Sequence, residues 1–229
     1  MKTIKRNFNS NLHNEIQKYL TNNKKYNYPI VQKFLRDIYN WVCCYCESRF
    51  DFSAYSEIEH FYPKSVKEYK IYERNISNLH YSCPRCNRLK WDDSPWKYWK
   101  KIVKIYSPNF VLSGTDFIFP EFKVEDNFYY DNYEIKFKNN IAEWTIELFD
   151  LNWEDKRIFL KEERIRVYDK ALQLSEEINK LIDIKNIKLK GTIKYLLQEL
   201  SNMMKENTPY STMIKEQFWE IYIKLYEKY

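Results

Sequence analysis

The chain predicts an α+β fold: a small metal-pinned module of short strands and a helix, preceded by a helical segment and followed by a helical bundle. Three features predict it. Two C-x-x-C pairs, Cys43/Cys46 and Cys83/Cys86, can close on one ion and draw distant segments together. Residues 110–137 alternate between apolar and polar types, as a half-buried strand or hairpin does. From residue 153 onward Leu, Ile, Val and Tyr recur at helical spacing among mixed charges. At 229 residues and 44% hydrophobic content, the chain can bury one good core or two small ones.

Taken in order, residues 11–20 and 30–40 carry apolar side chains at helical spacing, with Pro29 suited to a helix start. The cysteine module follows, and a helix is expected from Cys86 to about Trp99. The alternating stretch of residues 110–137 is broken by Pro120 and by Asp131-Asn132, which suggests a hairpin with irregular flanks. Helices are expected over 153–182, 192–205 and, after the break at Pro209, 211–229. The organisation expected is thus a helical segment (1–40), a zinc-bearing core (41–104), an irregular or β insert (105–141) and a helical region (142–229).

Each C-x-x-C pair puts two thiolates on one short turn, and two such pairs make a tetrahedral shell of the kind Zn²⁺ prefers. Cys44 is the odd cysteine, because Cys43 with Cys46 has better ligand spacing than Cys44-Tyr45-Cys46. Four cysteines in metal spacing argue for zinc in a reducing compartment rather than a disulfide framework. Between the pairs lies Glu59-His60, and Asn87 follows the last cysteine. A carboxylate, an imidazole and an amide are the residue types that hold a hard cation and activate a water. The plainer alternative is a structural knuckle or nucleic-acid-binding ribbon without catalysis.

The order C-x-x-C, I-E-H-F-Y-P-K-S, then N-L-H-Y-S-C-P-R-C-N-R-L-K resembles the HNH endonuclease family with its ββα-metal core. More narrowly it is similar to the HNH subunit of Septu-type and retron-associated bacterial defence systems, which works beside a separate ATPase. The stretches V-C-C-Y-C-E, A-E-W-T-I-E-L-F-D-L-N (142–152) and P-Y-S-T-M-I (209–214) support the narrower likeness. The resemblance implies that His60 is the general base, that Glu59 and Asn87 are ligands of the catalytic ion, and that Asn78 is the middle asparagine, orienting the histidine through backbone contacts. It implies a phosphodiester hydrolase of an antiphage system, acting on DNA, with RNA as the alternative substrate. Many members have Asp where this chain has Glu59, and His where it has Asn87. Both departures favour a hard, loosely held cation and leave the choice between Mg²⁺, Mn²⁺ and Ni²⁺ open.

Lys90, three residues after Asn87, shares its helical face, and is expected either to meet the scissile phosphate or to be a solvated helix lysine. Lys64, Arg85 and Arg88 are expected to contact backbone phosphates. His80 is expected on a strand surface and His13 on a solvated helix face. Residues 61–104 carry a net charge of +7, against −4 for residues 105–229. A basic window of this kind attracts a polyanion, although lysine-rich composition can also reflect genome bias. Trp91, Trp96, Tyr98 and Trp99 could form a base-stacking platform or simply a core. With two glycines and neither in a phosphate-binding loop, the chain carries no Walker A or dinucleotide fingerprint, so any nucleotide hydrolysis falls to a partner. No apolar run reaches the length of a membrane span and no leader is evident, so a soluble, cytoplasmic protein without membrane contact is expected. The region 142–229 is expected either to dock the ATPase through apolar faces such as that around Phe218, Trp219, Ile221 and Tyr222, or to cover the nuclease core.

Overall fold

The computed structural model describes residues 11–22, 29–49, 55–91, 128–138, 140–152, 158–184, 189–205 and 208–227. Its contacts divide the chain into two compact units, residues 1–126 and 127–229.

The first unit opens with helices α1 (Asn11–Asn22) and α2 (Pro29–Ile38). Both appear where the apolar spacing predicts, and Pro29 starts α2, where its missing N–H has no intrahelical partner to lose. Ile16 and Leu20 on α1 and Val31, Phe34 and Leu35 on α2 are buried. His13 departs from expectation: it lies one turn before Ile16 on the apolar face of α1, buried and edge-on to Phe34, because helical periodicity places it there whatever its polarity. The side chain of Gln17 bonds the backbone beyond, donating to the Arg74 carbonyl at 3.2 Å and accepting from the Ile76 N–H at 2.9 Å.

Strands β1 (Glu57–His60) and β2 (Leu79–Ser82) form an antiparallel pair with Glu59 opposite His80 and His60 opposite Leu79. Two short 3₁₀ turns, Lys67–Tyr72 and Ile76–Asn78, fill the connection. Helix α3 (Pro84–Trp91) follows β2 and packs against β1. It starts two residues before the expected position, and the expected extension to Trp99 lies outside the described residues, as do the side chains of the proposed aromatic platform. His80 is not a surface residue. It is buried on β2 and bonded through Nδ1 to the Tyr39 hydroxyl, since α2 covers that face of the strand.

In the second unit, β3 (Phe128–Asp131) and β4 (Glu134–Phe137) make a tight hairpin whose turn includes Asn132 at a φ of 55°, a left-handed conformation that asparagine tolerates. The rest of the alternating stretch lies outside the described residues. Helices α4 (Asn140–Leu148), α5 (Ile158–Asp183), α6 (Lys190–Met203) and α7 (Ser211–Tyr226) follow. Leu160, Ala171 and Ile178 of α5 are buried in the bundle with Ile193, Leu197 and Leu200 of α6 and Met213, Ile214 and Phe218 of α7. Phe218 therefore belongs to the core and not to the docking face expected of it, whereas Trp219, Ile221 and Tyr226 are exposed. No helix among the described residues is long and apolar enough to cross a membrane.

Candidate active site and metal centre

The sulfur atoms of Cys43, Cys46, Cys83 and Cys86 all lie within 4.8 Å of one another. Cys43 and Cys46 sit on a tight turn in which the Cys43 N–H donates to the Ser48 carbonyl at 3.0 Å and the Glu47 N–H to the Cys43 carbonyl at 3.1 Å, with Glu47 at a φ of 57°. Cys83 and Cys86 flank the β2–α3 junction. Backbone amides point at the sulfurs, from Cys83 to the Cys43 sulfur at 3.4 Å and from Cys86 to the Cys83 sulfur at 3.3 Å, an arrangement that favours thiolates. Burial raises the Cys43 and Cys86 thiols well above their ordinary values, and the neighbouring thiols raise Cys83. Four thiolates gathered this closely, three of them buried, need a positive charge at their centre, and the donor set is the soft tetrahedral one that zinc takes. Cys44 stands outside the cluster, half-buried, its N–H bonded to the Tyr81 carbonyl at 3.0 Å.

Strand alternation sends Glu57 and Glu59 to one side of β1 and His60 to the other. On the first side, Glu59 is fully buried and forms an ion pair with Lys90 of α3 through Oε1, while its Oε2 accepts from the Tyr45 hydroxyl at 2.6 Å. Lys90 is itself only 1% exposed, so the solvated alternative for it does not hold. Its Nζ also donates to the His60 carbonyl at 2.7 Å, joining the carboxylate to the backbone of the histidine. Burial pulls the Lys90 ammonium well below its ordinary value, opposed in part by Cys44 nearby. Asn87, one turn earlier on α3, reaches Glu57 and not Glu59: its Nδ2 donates to Glu57 Oε2 at 2.6 Å. That bond leaves the oxygen as the end of the amide suited to a cation.

On the other side, His60 Nε2 lies 3.0 Å from the Glu73 carbonyl, so Nε2 carries the proton and Nδ1 the lone pair. Burial, with Lys64 nearby, lowers the imidazole to about 4 despite the opposing bond to Glu73, and the ring is neutral at physiological pH. Asn78, fully buried at the entrance to β2, fixes the chain just past the histidine. Its Oδ1 accepts from the Tyr62 N–H at 2.7 Å, and its Nδ2 donates to the Tyr62 and Tyr72 carbonyls at 3.1 Å each.

The structure thus gathers Glu59, Lys90 and the His60 backbone directly, sets Asn87 beside Glu57 on the same side, and uses Asn78 to shape the following loop. Lys64 and Arg88 are exposed and Arg85 is half-buried. The first side holds a buried carboxylate and an amide oxygen, donors of the kind a hard divalent cation takes, and such a cation at Glu59 Oε1 would displace the Lys90 ammonium. Sequence reading passed over Tyr45 and Glu57. Glu57 had a signal, since it stands two residues before Glu59 and a strand places i and i+2 on one face. Tyr45 had only its place inside C-C-Y-C.

Residues 43–93 match the family model described as HNH endonuclease. Among curated proteins, the chain is similar to the Septu protein PtuB of Bacillus mycoides (strain KBAB4), 36% identical over 69 residues, covering 25% of this chain and 23% of that relative. The match therefore spans less than a quarter of the relative's length. No solved structure matches the chain. The cysteine cluster, β1, β2 and α3 all fall inside the matched segment, and the chain contains an HNH endonuclease domain at residues 43–93.

Proposed function

We propose that this chain is a metal-dependent endonuclease that hydrolyses phosphodiester bonds of DNA, as the effector subunit of an antiphage defence system working beside a separate ATPase. The observation that carries the reading is the conjunction, inside the HNH segment, of the four-cysteine cluster with a buried Glu59 and a neutral His60 on adjacent positions of one strand. The defence role rests on the likeness to the Septu protein and on the resemblance in the flanking stretches.

In this reading Zn²⁺ on Cys43, Cys46, Cys83 and Cys86 supplies shape only. His60 accepts a proton from the attacking water through Nδ1, while the Glu73 carbonyl holds the ring in that tautomer. Glu59 and Asn87 would hold a Mg²⁺ or Mn²⁺ ion, which would supply positive charge against the negative charge that develops at the phosphate. Asn78 keeps the loop after His60 in register. Lys90 acts by holding Glu59 and the His60 backbone together, and it meets a phosphate only by leaving that pair. Lys64, Arg85 and Arg88 contact the nucleic-acid backbone. The ATPase docks on region 142–229, with Trp219, Ile221 and Tyr222 of α7 at the contact.

Incubation of purified protein with supercoiled plasmid and with total RNA, each with Mg²⁺, Mn²⁺ or EDTA, tests the reading. Metal-dependent plasmid cleavage supports it. Cleavage of RNA alone would replace the substrate, and binding without cleavage of either would leave a zinc-stabilised binding module. Co-purification with the ATPase, weakened by Trp219→Ala with Ile221→Ala, tests the docking face.

A further inference from the structure

Tyr45 belongs to the cysteine turn by sequence and to the nuclease site by contact. Its hydroxyl donates to Glu59 Oε2 at 2.6 Å, a short bond of the charge-assisted kind, and its ring lies 5.9 Å from the Lys90 ammonium. The turn that carries it is fixed by the Cys43–Ser48 and Glu47–Cys43 backbone bonds and by the sulfurs on either side. Glu59 is fully buried, and its two oxygens are approached from two elements: Oε2 from the cysteine turn and Oε1 from Lys90 on α3.

We propose that Tyr45 is a positioning residue of the nuclease site, holding Oε2 of Glu59 so that Oε1, the oxygen paired with Lys90, is the one the carboxylate offers a divalent cation when the cation displaces that ammonium. Glu59 is then a one-oxygen ligand, and its placement depends on the order of the cysteine turn. The four-cysteine centre thereby influences the affinity of the second site through a single hydroxyl, in addition to shaping the domain. The inference rests on the reading of Glu59 as a cation ligand.

Tyr45→Phe keeps the ring and removes the hydroxyl. In the full zinc-loaded chain, Mn²⁺ binding is followed by the electron paramagnetic resonance of the free ion, beside Glu59→Gln as a control. Tyr45→Phe is expected to weaken Mn²⁺ binding by about tenfold, the loss of one hydrogen bond to a charged group. Bound zinc should be unchanged, and plasmid cleavage should return to the wild-type rate at saturating Mn²⁺. Wild-type Mn²⁺ affinity in Tyr45→Phe, with binding lost in Glu59→Gln, would overturn the inference and leave the function standing. Unaltered Mn²⁺ binding in Glu59→Gln would remove the ligand assignment itself. Loss of zinc from Tyr45→Phe, or a cleavage defect that saturating Mn²⁺ does not restore, would make Tyr45 a structural part of the cysteine turn and overturn the inference as well.

Discussion

Glu59 and Lys90 are each almost wholly removed from water, and each is tolerable there because of the other. Breaking a buried pair strands one charge, at a cost of about 3–5 kcal/mol. Lys90→Met is therefore expected to lower the stability of the first unit by that amount, measured by urea unfolding of the zinc-loaded chain, and adding Glu59→Gln should recover much of it. A loss below about 1 kcal/mol in the single variant would mean that the pair does not carry the site. His60, the next residue on the strand, contributes through its ring. Its imidazole is neutral and oriented, so His60→Ala should cut cleavage by about 10²–10⁴-fold while leaving zinc content and nucleic-acid binding near wild type. A variant that cuts plasmid at a comparable rate, with contaminating nuclease excluded, would rule His60 out as the base. Glu59 and His60 were visible in the sequence as neighbours in a motif. The pairing of Lys90 was not, because helical spacing fixes which residues share a face and leaves open whether that face meets water or a carboxylate.

The cysteine turn and the β3–β4 hairpin show how single side chains define whole elements. Replacing any one of Cys43, Cys46, Cys83 or Cys86 by serine removes a ligand from a centre whose binding energy is folding energy, and should abolish the cooperative melt of the first unit. Cys44→Ser should leave the melt unchanged, since the thiol lies outside the cluster; a strong effect there would redraw the ligand set. Beside the hairpin, Asn152, just past α4, accepts from the Ile135 N–H at 3.1 Å and donates to the Ile135 carbonyl at 2.6 Å, pairing with β4 as a further strand would, and its Oδ1 also receives the buried Arg164 at 3.2 Å. Asn152→Ala is expected to destabilise the second unit by about 2 kcal/mol, read from thermal melts, because it takes the amide partner from the Ile135 N–H and carbonyl, while Arg164 keeps the Leu151 carbonyl. A change of a few tenths would show that water replaces the amide. The stretch ending at Asn152 drew notice in the sequence only as part of a resemblance. Its physical use, and that of Tyr210, which is buried with a φ of 56° and donates to Glu163 at 2.7 Å, is to bind segments distant in the chain.

Across the whole molecule, the first unit carries the four-cysteine cluster, and among the described residues the second is built from packed helices and the β3–β4 hairpin. Removal of zinc by a strong chelator should therefore unfold the first unit while α4–α7 remain helical, giving a partial loss of ellipticity at 222 nm and a second transition insensitive to the chelator. A single transition that removes all helical signal would show that the two units fold as one. The basic window of residues 61–104 lies wholly within the first unit, so nucleic-acid affinity should fall steeply with salt and should be lost with zinc.

The sequence by itself determined the ligand chemistry and the element types. Thiol pairs at C-x-x-C spacing, a carboxylate beside an imidazole and the helical spacing of apolar residues are local patterns, and local geometry governs them. Tertiary structure alone decided burial and partnership: His13 and His80 inside, Phe218 in the core, Lys90 against Glu59, Asn87 against Glu57, and Tyr45 bridging the cysteine turn to β1. Those outcomes depend on which faces of α1, α2 and α3 meet one another and the β1–β2 pair in the first unit, and which faces of α5, α6 and α7 meet in the second, and packing sets that through contacts between residues that no spacing in the sequence links.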